Sequence, residues 1–402
     1  MPDVIEQRLQ RLRELCGPVD IEPIEALRQR EAFIGVACSR VGLDPTRQRS
    51  ICRRLCQVLL EARQRRAIVC WSKGSAIDDW ASRAVALFRL PHLIIECPIE
   101  STPIERPSKF ASPDGPSTVR IQGSRVDRDL AVIALADRLE ALHLRRNGKI
   151  ASAISHRLHR YQDACIRVSL SDSAESAAVE LIAQGAIGRF VPSPPRPHHA
   201  TIDREPLNCG HSWARHQGEW LIHCTRQPQG AWPGQSDQQY RDSMLTTGAT
   251  DQATALDALR RITRKRRLIA SAIASDRRYP VVCFSANALA ELLKDRTFRP
   301  QLKRWDYEPY GVAISISAAN RIGIVPVRYG DASAKKLLPA EERYLHQSTG
   351  KTYDWRLENE WRHLGDIDLD QLPRDDVRIF VRTQAEAESV RPRCPWMVTA
   401  VG

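Results

Sequence analysis

Residues 32–40 read AFIGVACSR, and residues 67–75 read AIVCWSKGS. Each is a short apolar run that breaks into small and polar residues, as a fully buried strand does where it reaches a loop. After the first, Pro45 opens a segment that carries Ile51, Leu55, Val58 and Leu59 on one helical face. After the second, a helix is expected through Trp80, Val85 and Leu87, followed by a third apolar run, HLIIEC, at 92–97. Strand, helix, strand, helix, strand with near-continuous apolar strands implies a parallel sheet covered on both faces. Right-handed crossovers then place every strand-to-helix loop at one edge of that sheet, where open α/β sheets bind ligands.

Upstream, Ile5, Leu9, Leu12 and Leu15 fall at helical spacing and predict a short amphipathic helix over 3–16. Downstream, residues 101–124 turn to Ser, Pro and charge, which predicts a long surface loop, a candidate lid. The α/β pattern resumes with a helix at 130–137, a strand at 139–144, a helix after Gly148 and a last strand at 165–170. The proline-rich stretch 191–206, VPSPPRPHHATIDREP, lacks apolar periodicity and is the best domain boundary. Beyond it, strands are expected at 219–225, 280–286, 310–316, 323–329, 377–381 and 396–401, with helices between the first two. The expected fold is therefore α/β: a Rossmann-like parallel-sheet domain over 1–190, a linker over 191–208, and an α+β domain over 209–402.

At 402 residues the chain suits two domains, and 42% hydrophobic content is enough for real cores. No apolar run is long enough to span a membrane, and the opening MPDVIEQRLQRLREL is charged throughout, unlike a signal peptide. A cytoplasmic protein with no membrane partner is expected. The 11 cysteines include no CxxC pair and sit in apolar or helical surroundings, so reduced thiols are expected rather than disulfides. Cys209, His211, His216, His223 and Cys224 match no standard zinc spacing, and no metal is expected. The net charge of +12 admits nucleic acid or phosphorylated ligands as partners, although scattered arginine gives the same number.

Three loops carry anion-binding chemistry. Cys38, Ser39 and Arg40 follow the first strand, where free N–H groups and a guanidinium suit phosphate. Lys73, Gly74 and Ser75 follow the second; Gly74 permits close backbone approach and its neighbours offer donors. Gly148 and Lys149 close the run RRNGK after a later strand. Asp78 opens its helix, and an N-cap role accounts for it as well as ligand binding does.

These segments, GVACSR, WSKGSAIDDWASRAVAL and SRVDRDLAVIALADRLEALHLRRNGKI (which contains Arg128), resemble the SLOG superfamily of Rossmann-like domains over about residues 30–170. That superfamily includes the DNA-processing protein A fold and the lysine-decarboxylase-like nucleotide hydrolases. The resemblance implies a nucleotide-derived ligand on these loops and, from members in bacterial conflict systems, a sensing role. Cys38 stands where glycine is common, the second loop has a single glycine, and the paired-Gly and Glu signature of the hydrolase branch is missing. Hydrolysis by this half is therefore not expected.

In the second half, polar groups fall at the ends of expected strands: His223, Thr225 and Arg226; Ser285; and the run Glu358–Asn359–Glu360–Trp361–Arg362. In an extended segment Glu358 and Glu360 point to one face, where one carboxylate acts as base and the other orients it; a salt-bridged edge strand fits the same residues. The set resembles ADP-ribosyltransferases, whose split NAD-binding fold carries an Arg or His-x-Thr, then a Ser, then a late Glu. That resemblance implies His223, Thr225 and Arg226 in the first role, Ser285 in the second, and Glu360 or Glu358 as the catalytic Glu that stabilises an oxocarbenium ion in an ADP-ribosyltransferase or NAD glycohydrolase. Residues 283–381 also resemble an uncharacterised bacterial domain of phage-resistance loci with a W..E.EWR signature.

Together these readings lead to an antiphage defence protein, a homo-oligomer, whose SLOG-like half senses a nucleotide-derived signal and controls an effector that uses NAD. The alternative, from the likeness to DNA-processing proteins and the positive charge, is a non-catalytic protein that binds single-stranded nucleic acid; the basic helix with Arg260, Arg261, Arg264, Lys265, Arg266 and Arg267 is by default a solvated face and otherwise a nucleic-acid contact.

Overall fold

The computed structural model describes residues 4–42, 44–98, 118–161, 165–170, 177–190, 207, 209–228, 230–246, 254–272, 278–299, 304–350 and 354–402. The proline-rich segment 191–206 and residues 101–117, most of the expected lid, lie outside the described residues. The chain divides into two compact units, one of residues 1–198, 229–231 and 235–251, the other of residues 199–228, 232–234 and 252–402.

The first unit holds strands β1 (Asp20–Glu22), β2 (Phe33–Cys38), β3 (Ile68–Ser72), β4 (His92–Glu96), β5 (Thr118–Gln122), β6 (Arg138–His143), β7 (Cys165–Leu170) and β8 (Ile187–Phe190). Its helices are α1 (Val4–Cys16), α2 (Pro45–Arg65), α3 (Asp78–Phe88), α4 (Arg128–Leu135), α5 (Lys149–Arg160), α6 (Ala177–Ala183) and α7 (Asp237–Thr246). The strands form one sheet in the order β1-β5-β4-β3-β2-β6-β7-β8. Every adjacent pair is parallel except β1 with β5. From β4 to β8 this is the doubly wound order, and the chain reverses its direction of travel between β2 and β6.

Both faces are covered, as parallel strands require. In β2, Phe33 and Ala37 join the core beneath α1, α4, α5 and α6, while Ile34, Val36 and Cys38 join the core beneath α2, α3 and α7. A Cβ on Gly35 would lie 2.6 Å from the Ala136 Cβ, so only glycine lets the end of α4 approach so closely. At the amino edge of β2 and β6 the fully buried Arg8 donates to Asp137 through Nε (3.0 Å) and Nη2 (2.6 Å) and lies 3.8 Å from the Phe33 ring centroid. Burial alone would raise the Asp137 carboxyl, but hydrogen bonds from Arg8 and the Phe33 N–H outweigh it and hold it below the usual range.

Two corrections concern this unit. The expected surface loop over 101–124 contains β5, whose Val119 and Ile121 are fully buried between polar neighbours. Alternation over five residues marks it, but the Ser- and Pro-rich composition around it hides the pattern. Residues 237–246, on the C-terminal side of the expected boundary, form α7 and pack on the first unit: Arg83 pairs with Asp242, and Tyr240 Oη donates to Gln48 at 2.6 Å.

The second unit holds β9 (Trp220–Cys224), β10 (Val281–Ser285), β11 (Gly311–Ser315), β12 (Val325–Pro326), β13 (Glu360–Leu364), β14 (Val377–Val381) and β15 (Met397–Ala400), in the order β12-β13-β10-β9-β11-β14-β15. Within this sheet the described pair β14 and β15 is parallel and the other adjacent pairs are antiparallel. Its helices are α8 (Ala255–Lys265), α9 (Leu289–Lys294), α10 (Ile316–Arg321), α11 (Ala332–Leu337) and α12 (Gln384–Val390). One face of the sheet buries Leu221, Val282, Phe284 and Val312 with α8, α10 and α12; the other buries Ile222, Ala313 and Phe380 with α9. The run 323–329, expected as one strand, is broken at Pro326, which sits on the edge strand where no ladder donor is needed. Helix α8 ends at Lys265 and is capped by Arg266 at φ +53°, so Arg267, expected on the basic helix, lies beyond it. Among the described residues no helix is long and apolar enough to cross a membrane.

Candidate functional sites

In the first unit the chain reverses between β2 and β6, and at the carboxyl edge this reversal is the position at which doubly wound sheets receive ligands. Two of the expected loops meet there directly. The Ser39 N–H donates to the His143 carbonyl at 2.8 Å, the Arg145 N–H donates to Ser39 Oγ at 3.2 Å, and Arg145 Nη2 donates to the Arg40 carbonyl at 3.3 Å. Ser39 is buried, whereas the Arg40 and Arg145 side chains are exposed at the rim. Gly148 caps α5 behind an Asn147 in the left-handed region (φ +56°), and Lys149 begins the helix.

The second loop is wired differently. Gly74 has φ +68°, as close backbone approach requires, but its N–H donates to Asp78 Oδ2 at 2.7 Å. Asp78 also accepts from Trp71 Nε1 at 2.7 Å and Ser82 Oγ at 3.1 Å. The N-cap of α3 is Ile77, so Asp78 lies one residue inside the helix and ties the loop to it. Lys73 Nζ lies 2.6 Å from Glu96 Oε1. The carboxylates of Asp78 and Glu96 thus already occupy the donors that an anion would use. Ser75 Oγ, in contrast, is buried with no hydrogen-bond partner among the described residues. Arg128 joins this loop to α4: its Nη1 donates to the Gly74 carbonyl, and Ser72 Oγ donates to the Arg128 carbonyl.

Asp129, not singled out from sequence, lies beside this junction. Burial raises its carboxyl, with Asp127 adding to the rise and Arg128 and Lys149 opposing it. Asp129 in turn helps raise the Cys38 thiol to about 12, mainly an effect of burial, so Cys38 is an uncharged thiol in the floor of the site. His143 is held below its ordinary value by burial and by Arg47 and Arg145, and is neutral at pH 7. The signal for Asp129 was the run D-R-D at 127–129, in which Asp127 is the N-cap of α4.

In the second unit, register decides which of the expected residues can cooperate. Ser285 pairs with Ile222 on one side and Glu360 on the other, so these three side chains share a face. His223 follows Ile222 and points to the opposite face, against the Phe284 ring at 5.6 Å, with Nδ1 2.9 Å from the Cys283 carbonyl. Burial lowers its pKa, so it is a neutral ring within the core. Thr225 likewise donates to the Ala255 and Tyr310 carbonyls. The His-x-Thr pair and the Ser–Glu pair therefore lie on different sides of one sheet.

Glu358 and Glu360 are not an extended pair. Glu358 ends the 3-10 turn Trp355–Glu358, and Asn359, at φ +46°, turns the chain before β13 begins. Glu360 is held in a two-point ion pair by the buried Arg362 (Nε–Oε1 2.9 Å, Nη2–Oε2 3.0 Å), which also donates to the Tyr344 and His346 carbonyls. The strand that carries the pair lies between β12 and β10, one place in from the edge. Burial and the Glu360 charge raise Glu358 to about 7, against opposing attraction from Arg226 and Arg299. Ser285 Oγ donates to the Glu358 carbonyl at 2.7 Å and accepts from the Asn287 N–H, which fixes the turn rather than freeing a nucleophile. Arg299 and Asp306, paired at 2.8 Å, border this site and were not anticipated.

The arrangement supplies one carboxyl that can exchange a proton near neutrality, a neighbouring carboxylate locked by arginine, and an exposed arginine, Arg226. No family model matches this sequence, and no curated protein matches it either.

Proposed function

We propose that the first unit is a SLOG-like sensor that holds a nucleotide-derived anion at the β2–β6 crevice, and that the second is its effector, acting on NAD in antiphage defence. The observation that supports the sensor reading most is the Ser39–Arg145 hydrogen bond, which joins two strand-end loops across the topological reversal and leaves two arginines at the rim. In the effector, Glu358 takes the leading part in place of Glu360. As nicotinamide leaves with the electron pair of the glycosidic C–N bond, ionised Glu358 stabilises the positive charge developing on the ribose. It then accepts the proton of the water or hydroxyl that adds to that carbon. Arg226 suits the diphosphate, and Glu360, neutralised by Arg362, shapes the turn.

NAD consumption by the whole chain, with and without Glu358→Gln, tests this. A loss of about 100-fold or more is expected, with wild-type turnover rising as pH passes through about 7. Equal turnover in both proteins overturns the effector assignment. Stability carries an independent signature. The folded carboxyl titrates above its unfolded value of 4.5, so its contribution is fully present below that pH and is lost as pH rises to about 7. Glu358→Gln should remove that loss from the melting temperature between pH 4.5 and about pH 7, the range set by these two values.

A further inference from the structure

The second unit has a groove of about 440 Å³ between α8 and the segment that follows α12, lined by Arg260, Thr263, Arg264, Val390, Pro392 and Arg393. Three arginines from two elements line one concavity. We propose that this groove binds the phosphate group of a nucleotide or of an oligonucleotide strand, independently of the crevice in the first unit.

Much of the basic run over 260–267 is already neutralised. Arg260 pairs with Asp257 at 3.3 Å, Arg266 with Asp370 at 3.3 Å and Arg267 with Asp366 at 3.5 Å, and Arg261 lies over the Trp232 ring at 5.4 Å. Arg264 and Arg393, both on the groove, have no carboxylate partner among the described residues. The carboxyl end of a helix favours cations, which accounts for Arg264 near the end of α8. It does not account for Arg393, which arrives from the segment beyond α12. Arg260 is positioned on the same wall by its Nη2 hydrogen bond to Ser389 Oγ at 3.1 Å.

The rest of the lining sets the ligand class. Thr263 Oγ1 donates to the Arg260 carbonyl and Ser389 Oγ to the Glu386 carbonyl, so neither hydroxyl has its proton free for a ligand. Val390 is buried in the floor, and Pro392 adds a second apolar surface. Cationic walls over an apolar floor suit an anion attached to a flat or carbon-rich body, which a nucleotide is and a bare inorganic anion is not. The volume is within the range of small-ligand pockets.

The test is fluorescence anisotropy of the full chain with a short labelled single-stranded oligonucleotide, and with AMP and inorganic pyrophosphate as competitors. The double variant Arg264→Ala/Arg393→Ala should weaken binding about tenfold or more. It should also reduce the slope of log affinity against log salt by roughly 1.4, about 0.7 for each phosphate no longer neutralised. Arg264→Lys/Arg393→Lys should keep the salt slope while losing affinity, because lysine retains the charge but not the planar fork. Displacement by AMP identifies the mononucleotide as the source of the phosphate; binding that AMP does not displace identifies the strand. Both arginines are exposed, so all variants should melt with the wild type. The proposal is overturned if no probe binds, if the double alanine variant binds as the wild type does, or if pyrophosphate alone competes. The loss caused by the double alanine variant should persist in an Arg145→Ala background, in which any binding at the first unit's loops is weakened.

Discussion

The two ends of the β2–β6 strand pair carry similar residue types in opposite electrostatic states. At the amino end a wholly buried arginine, Arg8, meets Asp137, which also takes Arg11 at 2.9 Å and the Phe33 N–H at 2.9 Å. At the carboxyl end Ser39 and Arg145 are joined by one hydrogen bond, with Arg40 and Arg145 exposed. Charge that is paired and desolvated at one end holds α1 to the sheet. Charge left at the surface at the other end is available to an incoming anion. An arginine beside a strand therefore reveals little until the location of its carboxylate is known, because that partner decides whether the guanidinium is a fastening or a receptor.

This contrast can be broken from either end. The largest effect is expected for Asp137→Ala, which leaves Arg8 buried without its counter-charge and should cost about 3–5 kcal/mol in chemical denaturation. A cost below about 1 kcal/mol would mean that this end is no more fastened than the other. Asp78→Ala removes the acceptor of the buried Trp71 Nε1 and should cost about 1–3 kcal/mol by the same measurement. It also frees the Gly74 N–H, so phosphate affinity at the crevice should rise; unchanged affinity would place the second loop outside the site. Arg145→Ala should change stability by less than about 1 kcal/mol while weakening nucleotide binding about tenfold, read by calorimetric titration. The smallest effect is expected for Lys73→Ala. Its amine is already paired with Glu96 on an exposed surface, so both stability and affinity should stay within about 1 kcal/mol of wild type. A large loss of affinity there would return Lys73 to the phosphate site.

Most of the first unit was legible in its residues. β7 falls on the expected span, and β2, β3, β4 and β6 fall within a residue or two of theirs, since continuous apolar runs between amphipathic helices admit few other arrangements. β5 and the short strands β1 and β8 were not legible. The alternation in β5 is hidden by the Ser- and Pro-rich composition around it, while β1 and β8 have little apolar pattern of their own. The candidate sites were legible only in part. Ser39 and the loop before Gly148 are brought together as expected. Lys73 and the Gly74 N–H are occupied by carboxylates, Glu96 from β4 and Asp78 from the helix that follows the loop. In the second unit the strand ends were found, but His223 and Glu360 lie on different faces, because facing depends on register and register on partners far along the chain.

The amino-acid sequence by itself determined the α/β class, the parallel strands of the first half and the mixed character of the second, because apolar spacing along a chain is a local property. Only the tertiary structure decided that the chain reverses between β2 and β6, that α7 returns to the first unit, and which charged groups are neutralised. Those outcomes depend on pairs such as Arg8 with Asp137 and Glu360 with Arg362, whose burial and mutual distance exist only once separate segments have packed.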